Sequence, residues 1–287
     1  MSQTIRTYFE ELSHKDKLSL FLYCIVRLAI FTSVAMFAFL IGYILFNGVQ
    51  YLTPSLFEWQ YNSENVSMMP AIINTITMVC ASLLVATPVA IFGAIFLEEY
   101  TNSQSFVVRV IVVAAETLTG IPSIVYGLFG YLAFTLYFGL GTSIISGVLT
   151  LAIMILPLIL RNTQEAIKAV PLTYKEASFG LGAGRLRTVF VIILPSAISG
   201  ILAGVILSVG RIIGESAALL YPAGTVAQVA GLFDSGRTLS VHMWSLLSEG
   251  QFIEQAYATA VVLLVVVIGI NLISNLIARY LNPNNLK

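Results

Sequence analysis

Long apolar runs separated by short polar segments are the dominant pattern of this chain. Each run is close to or above the length of about 20 residues that crosses a bilayer as a helix. The runs are Leu20–Phe46, Ala71–Leu97, 106–138, Ser143–Leu160, Val189 to about Tyr221–Pro222, and Ala256–Tyr280. The pattern predicts an all-α membrane protein with six transmembrane helices. Residues 1–19 would form a polar tail, and residues 20–287 a single transmembrane domain.

The third run is the least regular. At about 33 residues it is too long for one straight crossing and too short for two. Gly120-Ile121-Pro122-Ser123 interrupts it, and proline breaks a helix because it lacks a backbone N–H. The pattern predicts a lead-in helix from Phe106 to about Glu116 at the cytoplasmic interface, followed by the third span.

Composition supports a membrane protein. The chain is 58% hydrophobic and 10% charged, whereas soluble domains carry about 25% charged residues. The net charge is zero, so bulk charge says nothing about partners. No nucleic-acid partner is expected. Cys24 and Cys80 lie in apolar runs, which predicts small core side chains rather than a disulfide or metal pair. The first apolar run is too long for a signal-peptide core, so no cleavable signal is expected.

The distribution of Lys and Arg predicts the orientation, because cytoplasmic loops carry an excess of both. The termini and alternate loops on one side contain Arg6, Lys15, Lys17, Arg109, Arg161, Lys168, Lys175, Arg185, Arg187, Arg279 and Lys287. The loops on the other side contain only Arg237. Both termini and the 161–188 loop are therefore expected in the cytoplasm.

The segment Tyr174–Pro195 is charged and punctuated by glycine. Glu176-Ala177-Ser178 is followed after three residues by Gly182, and after nine more by Ile192, with Leu194-Pro195 beyond it. Thr173 and Glu176 have the spacing of a capping box, which predicts that a short helix begins at Thr173. Three glycines at alternate positions from 180 to 184 then favour a sharp turn.

This spacing resembles the EAA loop of the permease subunits of bacterial ABC importers, with Ser178 in place of the third alanine. The resemblance implies a helix-turn-helix that docks into a cleft of a separate ATPase subunit, through Glu176, Ala177, Ser178 and Gly182. The alternative is an ordinary positively charged cytoplasmic loop.

Two charges lie inside the fifth apolar run. A helix starting near Pro195 places Arg211 about 24 Å further along, in the middle-to-outer membrane. An ionised group there is expensive and predicts a functional site. Glu215 follows at a spacing of four, which predicts an ion pair on one helix face. The pair would either hold helices together or attract and retain an anion in transit.

Small residues repeat every four positions on an adjoining face of the same helix. They are Ser196, Gly200, Gly204 and Ser208. Such ridges let two helices approach closely. The ridge predicts that this helix packs against another while presenting its charges to a cavity.

Three further polar residues have open roles. Glu116 lies either at the cytoplasmic interface or paired inside the bundle. Arg237 and His242 lie in the last outer loop, where contacts with an external partner are expected, or a structural role for His242. The loop supplies too few ligands for a metal.

Sequence motifs for chemistry are absent. The sequence contains no G-x-x-x-x-G-K-[ST] phosphate loop, no HExxH or CxxC pair and no Ser/His/Asp constellation. We therefore expect no catalytic residue, cofactor or metal. If ATP drives transport, another polypeptide hydrolyses it.

Beyond the EAA loop, most of residues 70–265 resembles the PstA-type permeases of bacterial phosphate importers. The matching stretches are 70–101, 119–130 (TGIPSIVYGLFG), 174–195, 210–224 (GRIIGESAALLYPAG) and 238–264. Family members typically read GET-AP where this chain has Gly214-Glu215-Ser216-Ala217-Ala218. The departure leaves Arg211 and Glu215 intact.

The resemblance implies a permease bundle of the MetI-like type in the bacterial cell membrane. It implies a heterodimer with a PstC-type permease, two PstB-type ATPase subunits and an extracytoplasmic PstS-type phosphate-binding protein. Arg211, Glu215 and Ser216 would line the phosphate path. The alternatives are a permease for sulfate or molybdate, the sister PstC-type subunit, a stand-alone secondary transporter, a scaffold or sensor subunit, and, least expected, a membrane-embedded enzyme.

Overall fold

A computed structural model describes the backbone of residues 2–101 and 105–281. These residues form helices and helical turns and contain no strand. The α-helices are α1 (Ser2–Gly48), α2 (Met69–Ile95), α3 (Phe106–Thr119), α4 (Ser123–Gly130), α5 (Ile144–Lys168), α6 (Leu172–Gly180), α7 (Arg185–Thr188), α8 (Leu194–Gly214), α9 (Leu239–Glu249) and α10 (Ile253–Leu281). The prediction of an all-α chain is confirmed.

Other helical turns extend or connect several of these helices. π-Helical turns continue α2 through Phe96–Tyr100 and α4 through Tyr131–Tyr137, and one at Val189–Ile193 joins α7 to α8. Short 3₁₀ turns follow α1, at Val49–Tyr51 and Pro54–Phe57. We call the end of the bundle that carries residues 161–188 the inner end, and the end that carries α9 the outer end.

Within the described residues, five helical stretches are long and apolar enough to cross a membrane. They are Leu18–Tyr51, Met69–Tyr100, Ile144–Lys168, Arg185–Gly214 and Ile253–Ala278. The sixth candidate is α3 and α4 together, which meet at an angle of 105°. The break lies at Gly120–Pro122 as predicted, although α3 continues to Thr119 rather than ending near Glu116. The predicted interfacial position of α3 stays a prediction.

Helix boundaries differ from prediction at three points. The helix of the first span begins at Ser2, so the residues expected to form a polar tail belong to the same helix. The fourth span extends to Lys168 instead of Leu160, and the fifth ends at Gly214 rather than near Tyr221. Hydropathy marks where apolar side chains end, whereas helical hydrogen bonding continues into polar residues. The side chains of Arg6, Lys15, Lys17, Arg279 and Lys287, used in predicting orientation, lie outside the described ones.

Helix α5 is the centre of the bundle, with α2, α3, α4 and α8 packed against it. On α2, alanine recurs every four positions where the helix packs against α5. These residues are Ala86, Ala90 and Ala94, and all three are fully buried. Large side chains of α5, including Leu151 and Ile155, fill the space that these alanines leave. Alternation of small and large side chains allows such interiors to reach the packing density of organic crystals.

The small-residue ridge of α8 lies against α5. A Cβ atom placed on Gly200 would lie 2.6 Å from Cβ of Ala166, and one on Gly204 would lie 2.5 Å from Cβ of Asn162. Real Cβ contacts are not this short, so only glycine permits this helix spacing. The predicted close approach is confirmed, and the partner helix belongs to the same chain.

Helix α1 is peripheral. The described side chains of its apolar stretch are almost all exposed, and the helix contacts α10 near its outer end. Cys24 on α1 and Cys80 on α2 are both exposed, so the prediction that they are core residues is wrong. An apolar position in a membrane protein can face lipid as readily as the core.

We predict that Gly204→Leu destabilises the bundle by about 1–3 kcal/mol, the usual cost of overpacking. Its side chain would overlap Asn162 of α5. Gly269→Leu is the matched control, because nothing lies within 4 Å of a Cβ at Gly269 on α10. Thermal unfolding of the purified proteins in detergent measures the difference. Equal melting temperatures for the two variants would contradict the packing of α8 on α5.

Candidate functional site

Residues 169–188 at the inner end form a helix-turn-helix, which we call the coupling loop. Helix α6 begins after Pro171, which occupies the N-cap position, so the predicted cap at Thr173 is wrong. No side-chain hydrogen bond caps this helix, and the fixed backbone angle of proline initiates it instead. Gly182 lies in the turn with φ of +81°, a left-handed conformation that glycine adopts without strain.

The four residues predicted to dock divide into two groups. Glu176, Ala177 and Gly182 are exposed, as a docking surface requires. Ser178 is buried, and its hydroxyl lies 2.8 Å from the hydroxyl of Thr188, so the contact joins α6 to the end of α7. Ser178, which replaces the third alanine of the EAA motif, therefore holds the two arms of the loop together.

Several large apolar side chains of the coupling loop are exposed. They are Leu172, Tyr174, Phe179, Leu181 and Leu186, and Leu181 is 90% exposed. Behind α6, an open cleft of about 970 Å³ separates it from the end of α5 and the start of α8. Exposed apolar side chains grouped in one segment are typical of a contact with another protein or with the membrane.

Ion pairs attach α6 and the end of α5 to the inner end of α2. Lys175 of α6 pairs with Glu99, and Lys168 at the end of α5 pairs with Glu98 at 3.1 Å. Gln164 also donates a hydrogen bond of 2.9 Å to Glu98. The Glu99 side chain is only 8% exposed, so this pair is less screened than an ordinary surface pair.

Sequence reasoning gave Glu98 and Glu99 no role. Both lie in the π-helical turn that ends the α2 span, and such turns occur frequently at functional sites. The available signal was a pair of carboxylates ending an apolar run, on the same predicted side as the basic loop. Arg185 adds a contact, with its guanidinium 5.7 Å from the centre of the Tyr100 ring.

The predicted ion pair between Arg211 and Glu215 is wrong. Helix α8 ends at Gly214, and Glu215 adopts an extended conformation, so the two side chains no longer share a helix face. Glu215 Oε1 instead accepts a hydrogen bond from the Ala218 amide at 3.1 Å, while the Ser216 carbonyl accepts one from Leu219 at 3.0 Å. Glu215 and Ser216 thus stabilise the turn after the helix. Their predicted role in translocation stays a prediction.

Arg211 lies in a groove of about 670 Å³ between α8 and α10. The groove is mostly apolar, and its other polar side chains are Ser199, Asn271 and Asn275. Arg211 interacts electrostatically with Tyr126, whose hydroxyl donates to the Leu118 carbonyl across the break between α3 and α4. The described residues provide no carboxylate within ion-pair distance of Arg211.

Asn271 and Asn275 were missed by the sequence reasoning. They are four residues apart in the last apolar run and therefore on one face of α10. Amide side chains in a membrane span are costly unless they meet polar groups, so their spacing was a usable signal. Only the packing of α10 on α8 shows that they share a groove with Arg211.

Glu116 pairs with Arg161 of α5 at 3.0 Å, and Arg161 also contacts Glu165 at 3.0 Å. The Glu116 side chain is 52% exposed, so it belongs to the surface of the chain rather than to its core. Exposed pairs of this kind contribute about 0–1 kcal/mol. Glu116 therefore connects α3 with α5 near the inner end but adds little to the stability of the bundle.

Arg237 and His242 are buried at the outer end, being 4% and 0% exposed, so their predicted surface contact with an external partner is wrong. The loop before α9 folds back into the bundle, where Asn74 donates hydrogen bonds to the carbonyls of Gln228 and Arg237. The Tyr61 ring is near both residues, with its centre 4.8 Å from the Arg237 guanidinium and 6.2 Å from the centre of the His242 ring. We call Tyr61, Arg237, His242 and Ser245 the outer cluster.

His242 is neutral at physiological pH. Burial, and then the charge of Arg237, lower its pKa from the ordinary value of 6.5 to about 3. The Val66 backbone acts in the opposite direction, but neither ring nitrogen has a partner in hydrogen-bond geometry. No cluster of three or more His, Cys, Asp or Glu side chains that could hold a metal occurs in the described part of the chain.

We predict that His242 makes the protein acid-sensitive. A lowered pKa in the folded state means that the unfolded chain binds an extra proton below about pH 6.5. The contribution of His242 is therefore complete above that pH and is lost as pH falls towards 3. Melting temperatures between pH 7.5 and 5 should fall less steeply for His242→Gln than for wild type. His14→Gln is the control, and parallel profiles for all three proteins would contradict the prediction.

Comparisons with known proteins agree with this architecture. A family model described as the inner membrane component of binding-protein-dependent transport systems matches residues 86–287. The chain is 34% identical over 263 residues to a probable ABC transporter permease protein, YqgI, of Bacillus subtilis, covering 84% of this chain and 87% of that protein. It is 30% identical over 275 residues to a phosphate transport system permease protein PstA homolog of Mycoplasma pneumoniae, covering 88% of this chain and 40% of that one.

The fold is also similar to that of a solved permease. A chain in the crystal structure of a bacterial alginate ABC transporter, in complex with its alginate pentasaccharide-bound periplasmic protein, superposes with a TM-score of 0.65 at 18% identity. The superposition covers 92% of this chain and 94% of that chain. With its candidate membrane spans, this protein therefore belongs to the family of inner membrane components of binding-protein-dependent transport systems, the permease subunits of ABC importers.

Proposed function

We propose that this chain is a transmembrane permease subunit of an ATP-driven importer of inorganic phosphate. The observation that carries the proposal is Arg211, a permanent cation in a groove between candidate spans, without a carboxylate partner among the described residues. A cation in that position attracts an anion, and the guanidinium fork matches two oxygens of phosphate. The PstA-named relative supports phosphate as the anion.

Neutral donors accompany Arg211 in the groove. The amides of Asn271 and Asn275 and the hydroxyl of Ser199 can donate hydrogen bonds without adding further charge. One cation with neutral donors suits transport, because an anion must be bound strongly enough to enter and weakly enough to leave. Glu215 and Ser216 fix the turn beyond Arg211 and so determine where the helix, and its charge, end.

The partners follow from the coupling loop and from the family. We propose a second, PstC-type permease, two PstB-type ATPase subunits that bind the exposed face of α6, and a PstS-type phosphate-binding protein outside the cell. ATP-driven closure of the ATPases would move α6. Because Lys175 and Lys168 bind Glu99 and Glu98, that motion would reach α2 directly. The ATPases must bind one state of the bundle more tightly to shift its population.

Sulfate is the competing substrate, since a guanidinium fork and amide donors fit any tetrahedral oxyanion. The first experiment therefore reconstitutes the chain with its permease, ATPase and binding protein, and measures ATP-dependent uptake of labelled phosphate in the presence of sulfate. If sulfate suppresses phosphate uptake in proportion to its concentration, the importer is not specific for phosphate and accepts a broader range of oxyanions.

We predict that Arg211→Gln lowers ATP-dependent phosphate uptake at least a hundredfold while the complex still assembles. Loss of a charged hydrogen-bond partner costs about 1.5–3 kcal/mol per bond, and the fork can make two. Arg27→Gln is the matched control, because Arg27 is also in a span but lies exposed over the Tyr23 ring at 4.4 Å. Normal uptake by Arg211→Gln would remove Arg211 from the substrate path.

We predict that the pair of Lys175 and Glu99 transmits coupling. Lys175→Glu and Glu99→Lys should each lower the phosphate imported per ATP hydrolysed about fivefold, the effect of roughly 1 kcal/mol of pair interaction. The double variant Lys175→Glu/Glu99→Lys should recover most of the loss, because it restores opposite charges. Glu165→Lys, which breaks an exposed pair on α5, is the control. A double variant as defective as the single variants would show that the pair is not the link.

A further inference from the structure

The outer cluster holds an unusual set of unpaired polar groups. Nε and Nη2 of Arg237, both ring nitrogens of His242 and the Ser245 hydroxyl are buried and have no hydrogen-bond partner within the described part of the protein. His242 and Ser245 are three residues apart on α9, hence on one face, and Tyr61 connects His242 with Arg237. Buried polar groups are nearly always satisfied, so a cluster of exceptions requires an explanation.

The charge of Arg237 is also uncompensated. Among the described residues no carboxylate lies within ion-pair distance of it. Glu58 and Asp234 precede Tyr61 and Arg237 by three residues, and both already accept hydrogen bonds, from Asn65 and from the Gly231 amide. Removing a charge from water without a counter-charge costs several kcal/mol. Arg237 directly precedes Thr238, the N-cap of α9, where the helix dipole adds further positive potential.

The pattern of unpaired atoms indicates the shape of the missing partner. Nε and Nη2 form one edge of the guanidinium group, and their parallel N–H bonds match two oxygens of one anion. A neutral histidine can donate with one nitrogen and accept with the other, and a serine hydroxyl can do both. Hydrogen phosphate has oxygens that accept and a hydroxyl that donates, whereas chloride offers neither two atoms nor a donor.

We propose that the outer cluster is a second oxyanion site, in which the Arg237 edge, His242 and Ser245 bind one inorganic phosphate ion. The site is separate from the Arg211 groove, and only the choice of phosphate over other tetrahedral oxyanions rests on the proposed function. A hydrogen bond of 2.6 Å from the Ser240 hydroxyl to the Glu215 carbonyl joins α9 to the turn that ends the Arg211 helix. Occupancy of the outer cluster would therefore stabilise the outer end of that helix.

The test measures binding of labelled phosphate to the complex of both permeases and the ATPases, without the binding protein. The complex is kept in dodecyl maltoside, because the phosphodiester of a phospholipid could offer the same two oxygens. Four versions of this chain are compared: wild type, Arg211→Gln, Arg237→Gln, and Arg211→Gln/Arg237→Gln. Binding to the partner subunits is common to all four and cancels in the differences.

We expect Arg211→Gln to bind one phosphate per chain. The double variant should bind that phosphate with an affinity at least tenfold weaker. Arg237→Lys keeps the charge but not the fork. In the Arg211→Gln background it should bind phosphate less tightly than the chain that retains Arg237. In phosphate-free buffer Arg237→Gln should melt at or above the wild-type temperature, because an uncompensated charge has been removed. Phosphate should then raise the melting temperature of Arg211→Gln and leave that of the double variant unchanged.

One result would overturn the second site: Arg211→Gln and the double variant bind phosphate equally. In that case ordered water satisfies the cluster. The proposed function is judged separately, by uptake. A wild-type complex that imports phosphate, but whose Arg211→Gln form binds none, would reject only the outer site. A complex that binds phosphate at Arg237 and imports none would reject only the proposed function.

Discussion

The close approach of α2 and α8 to α5 is the constraint on which the other features depend. Alanines on α2 and glycines on α8 place both backbones near α5, and a Cβ on Gly204 would already overlap Asn162. Water does not drive helices together inside a bilayer, so association relies on packing of this kind. It brings the inner ends of α2 and α5 side by side, and this proximity positions Glu98 opposite Lys168 of α5 and Glu99 opposite Lys175 of the coupling loop.

Charged residues divide into paired and unpaired sets along the bundle. At the inner end, Glu98, Glu99 and Glu116 each have a basic partner, and these pairs tie the loop and α3 to the central helices. Arg211 and Arg237 have no such partner among the described residues. Because an unpaired arginine in a bilayer or a buried cluster is costly, each marks a place where an anion from outside the chain would complete the structure. Along the chain, Arg211 precedes the turn at Glu215 and Arg237 follows it.

The coupling loop and the Arg211 groove are joined by continuous helices. Helix α8 leads from the loop through the π-helical turn at Val189–Ile193 to Arg211, and α2 leads outward from Glu98 and Glu99. A displacement of α6 would reach both helices, since packed interiors transmit rigid-body motion rather than absorbing it. Beyond the end of α8 at Gly214, two hydrogen bonds hold the chain: one from the Ala218 amide to the Glu215 side chain, and one from the Ser240 hydroxyl to the Glu215 carbonyl.

Much of this protein could be predicted from local sequence. Hydropathy identifies the spans, since bilayer thickness prescribes their length, and proline with glycine identifies the break at 120–122. The EAA spacing and the small-residue ridge likewise depend on residues close in the chain. Contacts between distant residues could not be predicted: the partners of Glu98 and Glu99, the burial of Arg237 and His242, and the shared groove of Arg211 and Asn271. The end of α8 belongs with these, because the hydrogen bonds of Glu215 and Ser240 compete with one more helical turn. Periodicity records which face of a helix is apolar, but packing decides what that face meets.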